Sequence, residues 1–320
     1  MKKEESKLTK LYCLIPLAAF SCLLWGSAFP TVKTGYRLFG IAADDSASQI
    51  LFAGLRFTLA GTLVIAFACI TEKKPIVPKG KREWGHTLIV ALFQTVLQYI
   101  AFYIGLARTS GVKSSILVSL GVFFSLIISS LIMRMERFTF LKLLGTLAGF
   151  GGVLAVNSGS GWLAGFSLTG EGMIILSTLC SAISSVLIKR FSATESPVML
   201  SGWQFLFGGA AMSLFAFAIG GRISLNVSVG AVLLLVYLGF LSAAAYTIWS
   251  VLLKYNPVSR VAVFGFLNPV FGVLLSELIL GEFAEAFAFK NLAALLLVSF
   301  GIFIINVQFN KTENENAVQN

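Results

Sequence analysis

The sequence predicts an all-α membrane protein with ten transmembrane helices arranged as two inverted five-helix repeats. Three observations predict it. Apolar residues make up 57% of the 320 residues and charged residues only 12%, with a mean hydropathy of +0.88; a soluble domain carries roughly 25% charge. The apolar residues fall into blocks near the roughly 20 residues that a bilayer core requires. Marks of glycine, acid and amide recur about half a chain apart.

Composition also excludes classes. The net charge of +10 does not point to nucleic acid, because the basic residues cluster in short loops between apolar blocks, the topogenic pattern. Cys13, Cys22, Cys69 and Cys180 fall in or at apolar blocks with no paired spacing. They read as small embedded hydrophobes, not as disulfides or metal ligands. Lys2, Lys3, Lys7 and Lys10 precede an apolar run with no small-residue cleavage site, so the first span is read as uncleaved.

In order, the spans are expected at 12–35, 48–70, 86–107, 112–133, 140–157, 171–190, 199–220, 229–252, 258–280 and 287–309. The organisation is a tail at 1–11, a first repeat at 12–157, an extracytoplasmic linker at 158–170, a second repeat at 171–309 and a tail at 310–320. Seventeen Lys and Arg lie on one side and six on the other, with Arg56 inside a span completing the 24. That bias puts both termini in the cytoplasm.

The repeat is read from marks that align. Gly54 to Gly61 aligns with Gly202 to Gly209 at an offset of 148, with Lys33 near Lys189; Glu136 aligns with Glu282 at 146, and Asn157 with Asn306 at 149. Five spans per half is an odd number, so the second half inserts upside down. Inverted repeats are a transporter signature, with the binding site near the midplane between the halves.

The stretch from Gly265 to Glu282 asks for a cavity. Asn268-Pro269 interrupts the apolar run, Glu277 is a carboxylate short of the helix end, and Gly281-Glu282 marks that end. Proline removes a backbone donor and kinks a helix. In a bilayer such breaks, and buried carboxylates, are tolerated where protein or a water-filled cavity covers them.

The ordered set Trp25-Gly26-Ser27-Ala28-Phe29-Pro30, Arg56-Phe57, Gly105-Leu106-Ala107-Arg108-Thr109-Ser110, and Pro269 with Gly281-Glu282 resembles the EamA-like carriers of the drug/metabolite transporter superfamily over roughly residues 12–309. The resemblance implies two inverted five-helix repeats and a central cavity lined mainly by spans three, four, eight and nine. It implies export of small metabolites, without choosing among amino acids, nucleosides, sugars and drugs. Phe123 stands where members often keep a proline, so a proline hinge is expected only at Pro269.

Candidate site residues follow from position. Arg56 lies about eight residues, roughly 12 Å, inside the non-cytoplasmic face, where a cation should face protein or water. It reads as a substrate or gating contact, or as one partner of a salt bridge. Glu277 lies in the same half of the membrane and reads as a proton-coupling group, a cation-substrate contact or Arg56's partner. Gln94 and Gln98 share a helix face with Phe102, Tyr99 and Tyr103 form an adjacent stripe, and Ser242, Tyr246 and Trp249 share a face on span eight. With Trp25 and Asn268 these suit a pocket for planar or amphipathic molecules, or else helix-packing contacts.

Other marks read as scaffold. Trp84 and Trp162 suit interfacial belts, and Gly145, Gly149, Gly151 and Gly152 suit close helix packing. Glu136 and Glu282 suit solvated or capping ends, and His86 suits an interface.

The functional expectation is a secondary transporter of small organic metabolites, amino-acid-like or amphipathic, exporting by alternating access from a bacterial plasma membrane. A channel-like facilitator or an intramembrane enzyme is the alternative. The chain has no GxxxxGK[ST] loop, no HExxH, and His86 as its one histidine; no cofactor or metal is expected. The expected partners are a small-molecule substrate, the bilayer and protons as coupling ion, with no nucleic acid.

Overall fold

The computed structural model describes residues 7–42, 44–109, 111–156, 166–224, 228–280 and 289–318. Every regular element among them is a helix. We number them α1 (Leu11–Leu38), α2 (Ser46–Glu72), α3 (Gly80–Leu106), α4 (Lys113–Ile132), α5 (Phe140–Val156), α6 (Leu168–Phe191), α7 (Pro197–Ala218), α8 (Val229–Tyr255), α9 (Val258–Ala262, Val263–Phe266 and Leu267–Leu280) and α10 (Phe289–Val318). Eight of these are long and apolar enough to cross a membrane, while α5 and α10 carry shorter apolar segments, Phe140–Ala155 and Leu292–Val307. The expected marks Asn157, Trp162, Gly281 and Glu282, and the side chain of Glu277, lie outside the described residues.

Short polar side chains start several helices by accepting orphan N–H groups. Asp45 accepts from the Ser48 amide at 2.9 Å, Ser196 from Met199 with Pro197 at the first helical position, and Ser228 from Ala231 at 3.2 Å. The third helix begins six residues before the expected position 86, at Gly80. Its first turn is polar, with Lys81 and Arg82 exposed and Glu83 half-buried. Hydropathy finds the embedded part of a helix and not its solvated extension.

Two helix pairs are packed along their length, α2 with α7 and α5 with α10. Both contacts are made through glycines. A methyl on Gly54 would meet the Gly209 carbonyl at 2.9 Å, and one on Gly61 would meet the Gly202 carbonyl at 2.7 Å, so α2 and α7 run antiparallel. Gly145 faces Gly301 at 2.9 Å and Gly152 faces Ala294 at 2.8 Å, so α5 and α10 do too. Missing side chains let the backbones approach, the usual device where lipid supplies no hydrophobic drive between helices. Helix α1 packs on α8 and α9, and α6 packs on α3 and α4. Outward faces expose large apolar groups, among them Phe67, Leu214 and Leu296, as a surface in contact with acyl chains requires.

Besides the terminal π-helical turns Ile128–Ile132 of α4 and Leu168–Gly172 of α6, three irregular segments interrupt the α-helical ladder. Ala91–Leu97 of α3 is a π-helical stretch, a feature that recurs at functional sites. At α9, Val263–Phe266 tightens to a 3-10 turn ahead of Pro269, which lacks the N–H that would reach the Gly265 carbonyl. Neighbouring backbone is satisfied from α1, where the Cys22 thiol donates to the Phe264 carbonyl at 3.2 Å.

The third interruption corrects an expectation. Helix α4 also breaks, at Leu120, whose amide bonds Leu117 at 3.1 Å in a 3-10 turn ahead of Gly121. Shifted by the 146 residues separating Glu136 from Glu282, Leu117–Leu120 falls on Val263–Phe266. The two halves therefore share a break at matching places, and Pro269 is not its sole cause.

Candidate functional site

Interior stretches of five helices meet around an aromatic cluster. From α2, Phe57 stacks on Phe205 of α7, centroids 5.3 Å apart and planes 4° from parallel. From α3, Tyr99 hydrogen-bonds the Tyr246 hydroxyl of α8 at 2.5 Å. The two pairs are joined, Phe57 to Tyr99 at 4.4 Å and Phe205 to Tyr246 at 5.0 Å between centroids. Trp25 of α1 closes one side, edge-on to Tyr246 at 4.9 Å and to Trp249 at 5.0 Å. Three separate packing clusters of the interior all border Trp25, so it stands where they join.

Glycine sets this position of Trp25. A methyl on the adjacent Gly26 would sit 2.8 Å from the Phe271 Cβ and 3.0 Å from the Gly272 amide of α9. Close approach of α1 to α9 thus places the indole against α8. On the opposite side of the cluster, Thr95 donates to the Gln204 side chain at 2.6 Å, tying the π-helical stretch of α3 to α7. A methyl on Gly208 would meet Thr95 at 2.6 Å, so this contact too depends on a missing side chain.

Arg56 reaches the cluster from α2. Its guanidinium lies 4.4 Å from the Phe57 ring centroid and 5.8 Å from that of Tyr99, with Tyr36, Tyr103 and Tyr246 also nearby. No carboxylate pairs with it among the described residues. Polar atoms around the cluster are buried without a hydrogen-bond partner among the described residues: Trp25 Nε1, Arg56 Nε and Gln98 Oε1. Buried polar groups are nearly always bonded.

The structure therefore gathers Trp25, Arg56, Tyr99, Tyr246 and Trp249, with Gln98 beside the Tyr246 hydroxyl. It does not gather the others. Gln94 is buried one turn away on α3 and Asn268 is the second residue of the last segment of α9; each has a carbonyl oxygen without a partner among the described residues, and neither has a described contact to the rings. Pro269 is buried in α9. Ser242 turns back to its own helix, donating to the Leu238 carbonyl at 3.0 Å. Side-chain hydroxyls in apolar helices have that option at no cost in tertiary contacts.

Several polar links outside the cluster escaped the sequence reading. His86 bonds Glu195 through Nδ1 and stacks on Phe191 at 3.8 Å, joining α3 to the connection before α7. Glu171, at the start of α6, accepts from Thr109 at 2.6 Å, Lys113 at 3.1 Å and the Ser167 amide at 2.8 Å. Glu136 caps as expected, though not its own helix. It accepts from the Ser259 amide of α9 at 3.0 Å, from Ser129 at 2.6 Å and from Lys142 at 2.7 Å. Burial opposes its ionisation, but Lys142, Ser129 and Ser259 outweigh that and hold the carboxyl below the ordinary glutamate range.

Comparison with known proteins agrees with this architecture. The model of the EamA-like transporter family matches residues 13–158 and again 168–307. An uncharacterized transporter of Archaeoglobus fulgidus is 27% identical over 292 residues, covering 90% of this chain and 96% of its own. The uncharacterized transporter YvbV of Bacillus subtilis is 26% identical, with 91% of each chain covered. A WAT1-related chloroplastic protein of Arabidopsis thaliana is 24% identical over 88% of this chain and 66% of its own. One crystal structure superposes with a TM-score of 0.74 over 93% of this chain and 98% of that one, at 20% identity, which speaks to the fold. Two successive matches spanning nearly the whole chain decide the matter: it belongs to the EamA-like transporter family.

Proposed function

We propose that this membrane transporter is a secondary carrier that moves small organic metabolites, amino-acid-like or amphipathic, out of a bacterial cell by alternating access. In this reading all ten helices span the plasma membrane and both termini are cytoplasmic. Residues 12–157 and 171–309 form two inverted repeats joined by the 158–170 linker. The observation that carries it is the aromatic cluster itself: a buried, partly unsatisfied site made from residues that are each other's half-length counterparts.

Phe57 and Phe205 lie 148 residues apart, Tyr99 and Tyr246 147 apart, and each pair is in contact. Residues meet their own counterparts only near a two-fold axis. The glycine register supports the same axis. Gly54 and Gly202 are counterparts, as are Gly61 and Gly209, and the contacts run Gly54 to Gly209 and Gly61 to Gly202. Counterpart helices that pack antiparallel are what inversion requires. The neighbours of α1 (α8 and α9) correspond to those of α6 (α3 and α4). A site on the axis between inverted halves can be exposed to either side by rocking one half against the other.

Counterflow in proteoliposomes tests this. A carrier gives saturable uptake accelerated by unlabelled substrate on the far side; ohmic current without counterflow means a channel and sinks the reading. Trp249→Phe keeps a ring against Trp25 and removes the indole edge. It is expected to raise KM about tenfold, a loss of about 1.4 kcal/mol in binding, with little change in the unfolding midpoint. Proton coupling is assigned to Glu277, so Glu277→Gln is expected to transport at a rate that no longer responds to an imposed pH gradient.

A further inference from the structure

We infer that the substrate is an organic carboxylate whose charged end pairs with Arg56 and whose apolar, ring-bearing body lies in the aromatic cluster. The inference rests on the carrier reading above and names its substrate class.

Arg56 is 5% exposed, yet it has neither a hydrogen bond nor an ion pair among the described residues. What surrounds it is rings: Phe57 and Tyr99 under the guanidinium, with Tyr36, Tyr103 and Tyr246 around it. Ring faces attract a cation but offer no acceptor in the plane of its five N–H groups. A charge taken out of water normally needs a counter-charge and bonded donors. Cations inside membrane spans almost always find such a partner or face water.

One more donor at the same cluster is in the same position. The Trp25 indole N–H is buried with no partner among the described residues, and its side chain packs against the cluster that holds Phe57, Tyr103 and Tyr246. Arg56 and Trp25 come from two helices and share one need, an acceptor. A carboxylate supplies it best: it accepts only, it carries the missing charge, and its planar pair of oxygens matches the guanidinium fork. The rest of the lining, Phe57, Phe205, Tyr99, Trp25 and Trp249, suits a flat apolar body.

The asymmetry of the site supports this. The half-length counterpart of Arg56 is Gln204, which is fully buried and engaged with Thr95 at 2.6 Å. Where one half of the axis keeps a neutral amide already bonded to protein, the other places a cation with no counter-charge among the described residues.

The test uses the purified full-length chain and three near-isosteric probes, phenylacetate, phenylacetamide and phenethylammonium, with inorganic phosphate as a fourth. Ligand-induced thermal shifts and counterflow are both read. Wild type is expected to prefer phenylacetate over the amide by about tenfold or more, the scale of one charge-assisted pair. Arg56→Gln is expected to abolish that preference, and Arg56→Lys to restore part of it.

Equal affinity for acid and amide in wild type overturns the proposal, as does a preference that survives Arg56→Gln. A response to phosphate alone, or to none of the four probes, overturns it as well. Glu277→Gln is expected to leave phenylacetate binding intact; if it instead creates anion binding that wild type lacks, Arg56 is neutralised internally and the proposal fails. An acid preference without counterflow of any probe keeps the anion site and sinks the carrier reading. Counterflow of amide or amine without acid preference does the reverse.

Discussion

Gly209→Ala is expected to destabilise the protein by about 3 kcal/mol or more, the upper end for forcing one methyl into a packed interior. The new Cβ would lie 2.4 Å from the Thr58 amide nitrogen and 2.8 Å from the Gly54 carbonyl oxygen. Both are backbone atoms, so no side chain can swing aside; α2 and α7 must move apart. That pair carries Arg56, Phe57 and Phe205, so the ring stack opens with it and transport falls too. Gly151→Ala is the control, because a methyl on this residue of α5 would have nothing within 4 Å of it. Alanine there gains up to about 1 kcal/mol of helix propensity. The check is the fraction of monodisperse protein surviving a heating series in detergent. Equal midpoints for Gly209→Ala and wild type would mean that α2 and α7 do not touch through their glycines.

The contrast between these glycines shows what the sequence could express. Gly54, Gly61, Gly202 and Gly209 were legible as a repeat because a backbone contact tolerates almost nothing but glycine, and two such contacts need four of them. The same aligned segments contain Phe57 and Phe205, and the same offset relates Tyr99 to Tyr246. In the proposed inverted arrangement counterparts near the axis meet, so the signal that they would touch was present; reading Tyr99 and Tyr246 as stripes on separate helices hid it for that pair. The break at Leu120 was not legible, because no proline marks it and it is held by the packing of α4. The bond from Cys22 to Phe264 spans 242 residues, and a thiol in an apolar run gives no hint of its partner. Arg56 was legible as a buried cation, whereas its ring-lined surroundings, with no carboxylate partner among the described residues, are a tertiary fact.

Glu136 shows the same limit and carries the second large effect. Its role as a cap could be read from its place at a helix end, but not that the helix it caps is α9. Four donors share this carboxylate: Lys142 Nζ, Ser129 Oγ, and the amide and hydroxyl of Ser259. Glu136 and Lys142 side chains are 6% and 4% exposed, so Glu136→Ala is expected to cost about 3–5 kcal/mol, the scale for breaking a buried pair from one side.

Glu136→Gln is expected to cost less, because the amide keeps an acceptor. Glu136→Gln combined with Lys142→Met should recover part of the loss by removing both charges. The pH dependence has a definite sign. The folded carboxyl titrates below its unfolded value, so the stabilisation is complete above about pH 4.3, the ordinary glutamate value. It disappears as the pH falls through the folded value. Unfolding midpoints across the acid range should drop for wild type and stay flatter for Glu136→Gln; parallel curves would remove Glu136 from the account.

The link also bears on transport. It joins the connection after α4 to the start of α9, on the side proposed as cytoplasmic, and these ends must part whenever the axis site opens to that side. Glu136→Gln should therefore favour cytoplasm-open protein. This is seen as faster labelling by a maleimide of a cysteine placed at Gln98, applied from the cytoplasmic face in a background lacking the four native cysteines. Slower labelling than in the parent would show that the link holds the fold without restraining that opening.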